Sequence, residues 1–147
     1  MINCSEKFNV EDTIKDNTEL FELTYLAEKS SEHPIAMAIC DQVKRNIPNK
    51  IENLSKTHSV LEFKNINGEG ITSKIKIDDK TLNICCGNLK LMNRFNILSS
   101  YKEINQQITY LEEEGKTVVI LAIDNIPSLI ISLEEAELSK PEAKHVV

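Results

Sequence analysis

The chain has 147 residues, of which 41% are hydrophobic and 27% charged, and carries 23 acidic against 17 basic side chains. That length supports one domain with a sizeable core and needs no metal or disulfide staple, and the composition is ordinary for a globular protein rather than a disordered one. A net charge of −6 argues against a dedicated nucleic-acid binder, which needs a basic stripe, but leaves room for a phosphate held by local backbone dipoles.

No apolar run approaches the ~18–20 residues of a membrane span. The opening residues Met1 to Lys7 lack the apolar core of a secretory signal. Four cysteines, Cys4, Cys40, Cys85 and Cys86, have no C-x-x-C spacing, so free thiols in a reducing compartment are expected. Residues 1–17 are polar, with a short strand expected around Lys7-Phe8-Asn9-Val10. Leu20, Leu23, Leu26 and Ala27 then mark one face of a helix that runs out near Ser30-Ser31. Pro34 opens a second helix, striped by Ile35, Ile39 and Val43 and finished by Pro48. Two helices with a tight break between them predict a helical hairpin.

A polar linker (49–57) precedes a change of period to two. Leu61 and Phe63 alternate with Glu62 and Lys64. Ile71, Ser73, Ile75 and Ile77 oppose Thr72, Lys74 and Lys76. Asp78-Asp79 reads as a hairpin turn, and Leu82, Ile84 and Cys86 continue on one face. This pattern predicts antiparallel sheet with one wet face. Helical spacing returns with Leu89, Met92 and Phe95. Ser100 and Glu103 match a capping box, Ile104, Ile108 and Leu111 follow, and Gly115 ends the helix. Thr117 to Ile123 is an apolar run expected to be a central strand, turning at Asp124-Asn125 into Leu129-Ile130-Ile131. Two helices, three strands, two helices and two strands predict an α+β fold, mostly antiparallel, with helical hairpins packed on the sheet. The charged residues from Glu134 to Val147 start another helix and stop, as in a domain taken from a longer chain.

Three places could carry chemistry. In Ser30-Ser31-Glu32-His33-Pro34, His33 falls at the cap of the second helix. There the helix dipole leaves a neutral imidazole to accept a hydrogen bond or stack on a flat ring. Glu28, five residues earlier, could reach the same cavity and accept from an exocyclic amine. The plainer alternative is a surface histidine capping its own helix. In Asn67-Gly68-Glu69-Gly70-Ile71, two glycines permit positive φ and a close backbone approach; a glycine-assisted hairpin bulge is the alternative. Gly87-Asn88 follows a strand and opens a helix, either as a phosphate cradle or as an ordinary N-cap. Cys85 and Cys86, adjacent in a strand, point to opposite faces and so cannot easily chelate one ion.

Taken in order, these segments resemble one family. Ala27-Glu28-Lys29-Ser30-Ser31-Glu32-His33-Pro34-Ile35-Ala36, Gly68-Glu69-Gly70-Ile71, Gly87-Asn88 and Glu114-Gly115-Lys116-Thr117-Val118-Val119 are similar to the nucleotide-binding domain of heavy-metal P-type ATPases, most closely copper-transporting ones. The resemblance covers roughly residues 5–147. It implies a six-stranded, mostly antiparallel twisted sheet flanked by two helical hairpins. It also implies a hinge strand over 1–14, the nucleotide-binding domain over 15–133, and a return hinge over 134–147 that begins a phosphorylation domain.

By the same resemblance Glu28 holds the adenine amino group and His33 orients and stacks on the ring. Gly68 and Gly70 admit the purine and ribose, Ile71 supplies apolar contact, and Gly87 and Asn88 lie toward the phosphates. The implied ligands are ATP and ADP, with Mg-ATP in the parent. The implied partners are the phosphorylation and actuator domains, with no nucleic acid, no membrane insertion by this domain, and a monomeric state. The parent is expected to be a copper-translocating ATPase, with this domain on its cytoplasmic side. The Asp-Lys-Thr-Gly-Thr, Thr-Gly-Asp and Gly-Asp-Gly motifs are absent from this sequence, and Ala136-Glu137 stands where the family usually has Ala-Asp. By this resemblance the chain is expected to carry no catalytic acceptor and no metal ligands of its own. A zinc or cadmium pump, a non-catalytic interaction module, and a thiol or metal-binding regulator built on Cys85-Cys86 are the other readings.

Overall fold

The alternating segments of the second half of the chain pair with their neighbours in simple succession. A computed structural model describes residues 3–7, 17–47, 54–98 and 101–134. Their elements are β1 (Asn3–Lys7), α1 (Asn17–Glu28), α2 (Pro34–Asn46), α3 (Leu54–Thr57), β2 (His58–Ile66), β3 (Gly70–Ile77), β4 (Lys80–Gly87), α4 (Leu89–Arg94), α5 (Lys102–Glu113), β5 (Thr117–Ile123) and β6 (Ile126–Leu133). Strands β2 to β6 form a wholly antiparallel run in chain order, and β1 pairs antiparallel on the free edge of β6. The α+β class expected from the sequence is the class observed.

Helices cover both faces of the sheet, which explains why β5 and β6 are apolar at nearly every position. On one face Leu20 and Leu23 of α1 and Ile39 and Val43 of α2 pack on Ile71, Ile75, Leu82, Ile84 and Cys86, with Leu121 and Ile131 beyond them. On the other, Leu91 and Met92 of α4 and Ile104 and Ile108 of α5 pack on Cys85, Val118, Ile120 and Ile130. Cys85 and Cys86 thus belong to opposite cores, as the strand period requires. On β3, Lys74 and Lys76 stay exposed while Ser73, Ile75 and Ile71 are buried, so the wet face survives toward the β2 edge.

Local chemistry sets the turns. Asp124 and Asn125 adopt φ 50° and 65°, the paired left-handed conformation of a tight hairpin. Asp124 also ties that turn to β4: its Oδ1 accepts from the Asn83 backbone N–H at 2.9 Å, and its own N–H donates to the Asn83 carbonyl at 2.8 Å. Asp78 takes φ 55° at the β3–β4 turn.

Three details differ from the sequence reading. Leu61 is 56% exposed, not on the buried face. The register slips between Val60 and Glu62, so Leu61 is the extra residue of a bulge, and Val60 and Phe63 pack on the core instead. Phe95 lies just past α4 and is 42% exposed, and Leu91 takes its place in the core. The cap of α5 is Tyr101, whose side chain makes no capping bond, and the expected cap, Ser100, is outside the described residues. So are residues 8–10 of the expected first strand, which is observed at Asn3–Lys7. No helix among the described residues is long and apolar enough to cross a membrane.

Candidate functional site

Helix α1 carries four small or apolar contact residues on one face, and Glu28 is its last helical residue. The chain reverses at once: Ser31 N–H donates to the Glu28 carbonyl at 2.9 Å, and His33 N–H donates to Ser31 Oγ at 3.2 Å. His33 then caps α2 with extended backbone, and its Nδ1 accepts from Ile35 N–H at 3.1 Å. Nδ1 therefore carries no proton in this geometry, and Nε2 is the nitrogen left to face a ligand. Pro34 at the first helical position fixes the backbone where this cap forms.

A second wall comes from the β2–β3 turn lying against the β4–α4 junction. Gly70 has φ 148°, and a Cβ there would meet Gly87 Cα at 2.6 Å and Leu91 Cδ2 at 3.0 Å. A Cβ on Gly87 would lie 2.6 Å from the same Leu91 carbon and 3.0 Å from Gly70 Cα. The two backbones touch because neither residue has a side chain. Gly68 has φ 76° and open space around it, so only its conformation is specific.

Asn88 holds the two pieces together. Its N–H donates to Glu69 O at 2.9 Å, its Nδ2 to Gly68 O at 2.9 Å, and its Oδ1 accepts from Leu91 N–H at 3.1 Å. The side chain is both the expected N-cap and a clasp on the glycine turn. Arg94 adds a bidentate pair, with Nε 2.8 Å from Glu69 Oε1 and a terminal nitrogen 2.5 Å from Oε2. The guanidinium holds the Glu69 carboxyl below the usual carboxylate range. Nothing in the sequence pointed to this pair, whose members are 25 residues apart.

These walls enclose a cleft of about 510 Å³, within the roughly 300–1,000 Å³ of small-molecule sites. Glu28, His33, Gly68, Gly70, Ile71, Gly87 and Asn88 all line it. Ile71 is only 1% exposed, so it supplies the apolar floor rather than a protruding contact. The resemblance implied no nucleotide contact for Asn65, Cys86, Lys116, Thr117 or Val118, which line the same cleft. Lys116 and Thr117 sat inside a quoted motif, so their signal was present in the sequence. Lys116 is the only lysine or arginine among the described lining residues. No group of three or more His, Cys, Asp or Glu side chains among the described residues is placed to hold a metal ion.

Glu28 is 5% exposed. Burial pushes its carboxyl up to about 7, and a hydrogen bond from the Cys86 thiol pulls it partly back. Burial likewise pushes Cys40 and Cys85 up to about 12 and Cys86 well above its ordinary value, which disfavours the thiolate at all three.

Two outcomes follow from this geometry. Gly87→Ala forces backbone and Leu91 apart and should cost about 2–3 kcal/mol in urea denaturation; a loss of under ~0.5 kcal/mol would contradict the close packing. Glu28 gives a pH signature. Its folded carboxyl titrates near 7 against an ordinary 4.5, so the folded state holds a proton that the unfolded chain has released. The associated stability is complete below about 4.5 and is lost as pH rises through about 7, in total about 3 kcal/mol. Urea midpoints at pH 5 and pH 8 should show this loss in the wild type and not in Glu28→Gln; parallel losses in both would contradict it.

No family model matches the chain. Among curated proteins, the copper-exporting P-type ATPase of Staphylococcus epidermidis is 36% identical over 138 residues, which is 94% of this chain and 16% of that protein. The copper-exporting P-type ATPase of Staphylococcus aureus strain MW2 is 35% identical over 132 residues, 90% of this chain and 15% of that protein. Two crystal structures of a zinc-transporting PIB-type ATPase share the fold at TM-scores of 0.53 and 0.52 and 17% identity. They match 99% and 97% of this chain and 22% and 21% of theirs. The chain spans about a sixth of the length of the curated relatives it matches, and over that span it belongs to the heavy-metal P-type ATPases, as a domain of that family.

Proposed function

We propose that this chain is the adenine-nucleotide-binding domain of a copper-transporting P-type ATPase. The observation that carries the reading is the convergence of all seven residues implied by the family resemblance on one cleft, although they come from three separate stretches of sequence. The cleft also has the polarity a nucleotide needs. A buried carboxyl at Glu28 offers an acceptor to the adenine amino group. The imidazole of His33, fixed through Nδ1, presents its face and Nε2 to the ring. Gly68 and Gly70 leave the turn without side chains, Gly87 and Asn88 lie toward the phosphates, and Lys116 supplies one cation there.

In this reading residues 1–14 and 134–147 are the outgoing and returning hinge, and 15–133 is the nucleotide-binding domain, whose five strands β2 to β6 are joined at the β6 edge by β1 from the first hinge segment. The phosphorylation and actuator domains of the pump are the partners, on the cytoplasmic side of the membrane. Magnesium-bound ATP is the ligand in the parent, and the γ-phosphate acceptor is an aspartate of the phosphorylation domain. The nucleotide-binding domain contributes proximity and orientation: it grips the base remotely so that domain closure sets the γ-phosphate in line with that aspartate. Copper is favoured over zinc or cadmium because the relatives at 34–36% identity are copper exporters. The zinc-transporting structures share the fold at half that identity.

Calorimetric titration tests the reading. The 147-residue chain should bind ATP and ADP saturably, prefer them to GTP, and release no phosphate on prolonged incubation. His33→Gln should weaken ATP binding while its unfolding free energy in urea stays within about 1 kcal/mol of the wild type. Absence of saturation at millimolar ATP overturns nucleotide binding. Sustained hydrolysis overturns the separation of binding from phosphoryl transfer.

A further inference from the structure

Three acidic residues, Glu28, Glu69 and Glu112, line the cleft against one basic residue, Lys116. A nucleotide brings a polyphosphate of several negative charges into that setting, and like charges repel more strongly where water is partly excluded. Glu69 stands beside the place proposed for the phosphates. It lies between Gly68 and Gly70, and its backbone carbonyl accepts from Asn88 N–H at 2.9 Å. Left to itself, its carboxylate would oppose the ligand.

Arg94 meets that charge from outside. It ends α4 and does not itself line the cleft. Its guanidinium takes both carboxylate oxygens, Nε to Oε1 at 2.8 Å and a terminal nitrogen to Oε2 at 2.5 Å. Two parallel bonds from a planar fork set the direction of a carboxylate as well as offsetting its charge. The two ends of α4 thus divide the work on one turn. Asn88 at its start holds the backbone, through Gly68 O and Glu69 O, and Arg94 at its end holds the Glu69 side chain.

We propose, resting on the nucleotide reading, that Arg94 is a positioning residue for the phosphates: it keeps the Glu69 carboxylate at the end of α4, out of the path of the polyphosphate, and offsets its charge. Arg94 acts through Glu69 and touches no nucleotide. The Arg94 side chain is 52% exposed, so the pair adds little to folding stability. Without the guanidinium the turn keeps its shape through Asn88, while the carboxylate is free to swing toward the cleft.

The test is calorimetric titration of ATP and of adenosine into the 147-residue chain at low ionic strength. Arg94→Ala should weaken ATP about fivefold, with adenosine affinity and the urea midpoint nearly unchanged, and the ATP loss should shrink at high salt. Removing the carboxylate charge as well, in the double variant Arg94→Ala/Glu69→Gln, should restore ATP affinity. In the wild type, the Arg94 Nε–H and Glu69 carboxyl-carbon resonances should report an intact pair with and without ATP, a readout that needs no variant to fold. Unchanged ATP affinity in Arg94→Ala, equal losses for ATP and adenosine, no recovery in the double variant, or a wild-type pair that opens when ATP binds overturns the positioning role and leaves nucleotide binding standing. A wild-type chain that binds neither ATP nor adenosine overturns the nucleotide reading, and the positioning role with it.

Discussion

The site depends on one close approach between two backbones. Gly70 and Gly87 face each other with no Cβ between them, which lets the β2–β3 turn lie flat against the start of α4. Every other feature of that wall follows from the approach. Asn88 reaches the Gly68 carbonyl only because the turn is this near, and Arg94 reaches Glu69 from the far end of a six-residue helix for the same reason. Since β3 and β4 are neighbours in the sheet, the ladder places the two glycines opposite each other, and the missing side chains let the turn close.

The second wall is built from the opposite logic. There the α1–α2 corner brings polar groups in rather than leaving side chains out. Helix α1 delivers a carboxyl into the edge of a hydrophobic core, where it titrates near neutrality. Helix α2 begins with an imidazole whose one nitrogen is committed to the backbone. A buried, half-ionised acid is a stability cost at neutral pH that an apolar residue would avoid. Retaining one beside a cleft is the kind of local inconsistency that marks a binding site rather than a packing site. The Arg94–Glu69 pair, in contrast, is exposed on the Arg94 side and acts mainly by fixing geometry.

Much of the fold was legible because its signals are local. Apolar spacing in α1 and α2, the turn residues at Asp78 and Asp124, and the unbroken apolar run of β5 each correspond to observed elements. Leu61 was misplaced because a bulge shifts the period by one residue, and nothing in the surrounding alternation announces it. Phe95 was misplaced because α4 ends one residue earlier than its apolar spacing suggests. At the site, capping by His33 and Asn88 was readable from residue type next to Pro34 and Gly87. The clasp of Arg94 on Glu69 joins residues far apart in sequence, and only the folded sheet brings them together.

The relation to copper-exporting P-type ATPases and the geometry of the cleft meet in a single claim, that an adenine nucleotide lies between the helix corner and the glycine turn. Amide chemical-shift mapping of the 147-residue chain with ATP addresses it directly. The account predicts saturable shifts centred on Glu28, His33, Gly68, Gly70, Gly87 and Asn88, with the exposed β2 edge near Leu61 and the outer face of α5 near Tyr110 unchanged. Shifts centred on either of those distant surfaces, or none at saturating ATP, would contradict it.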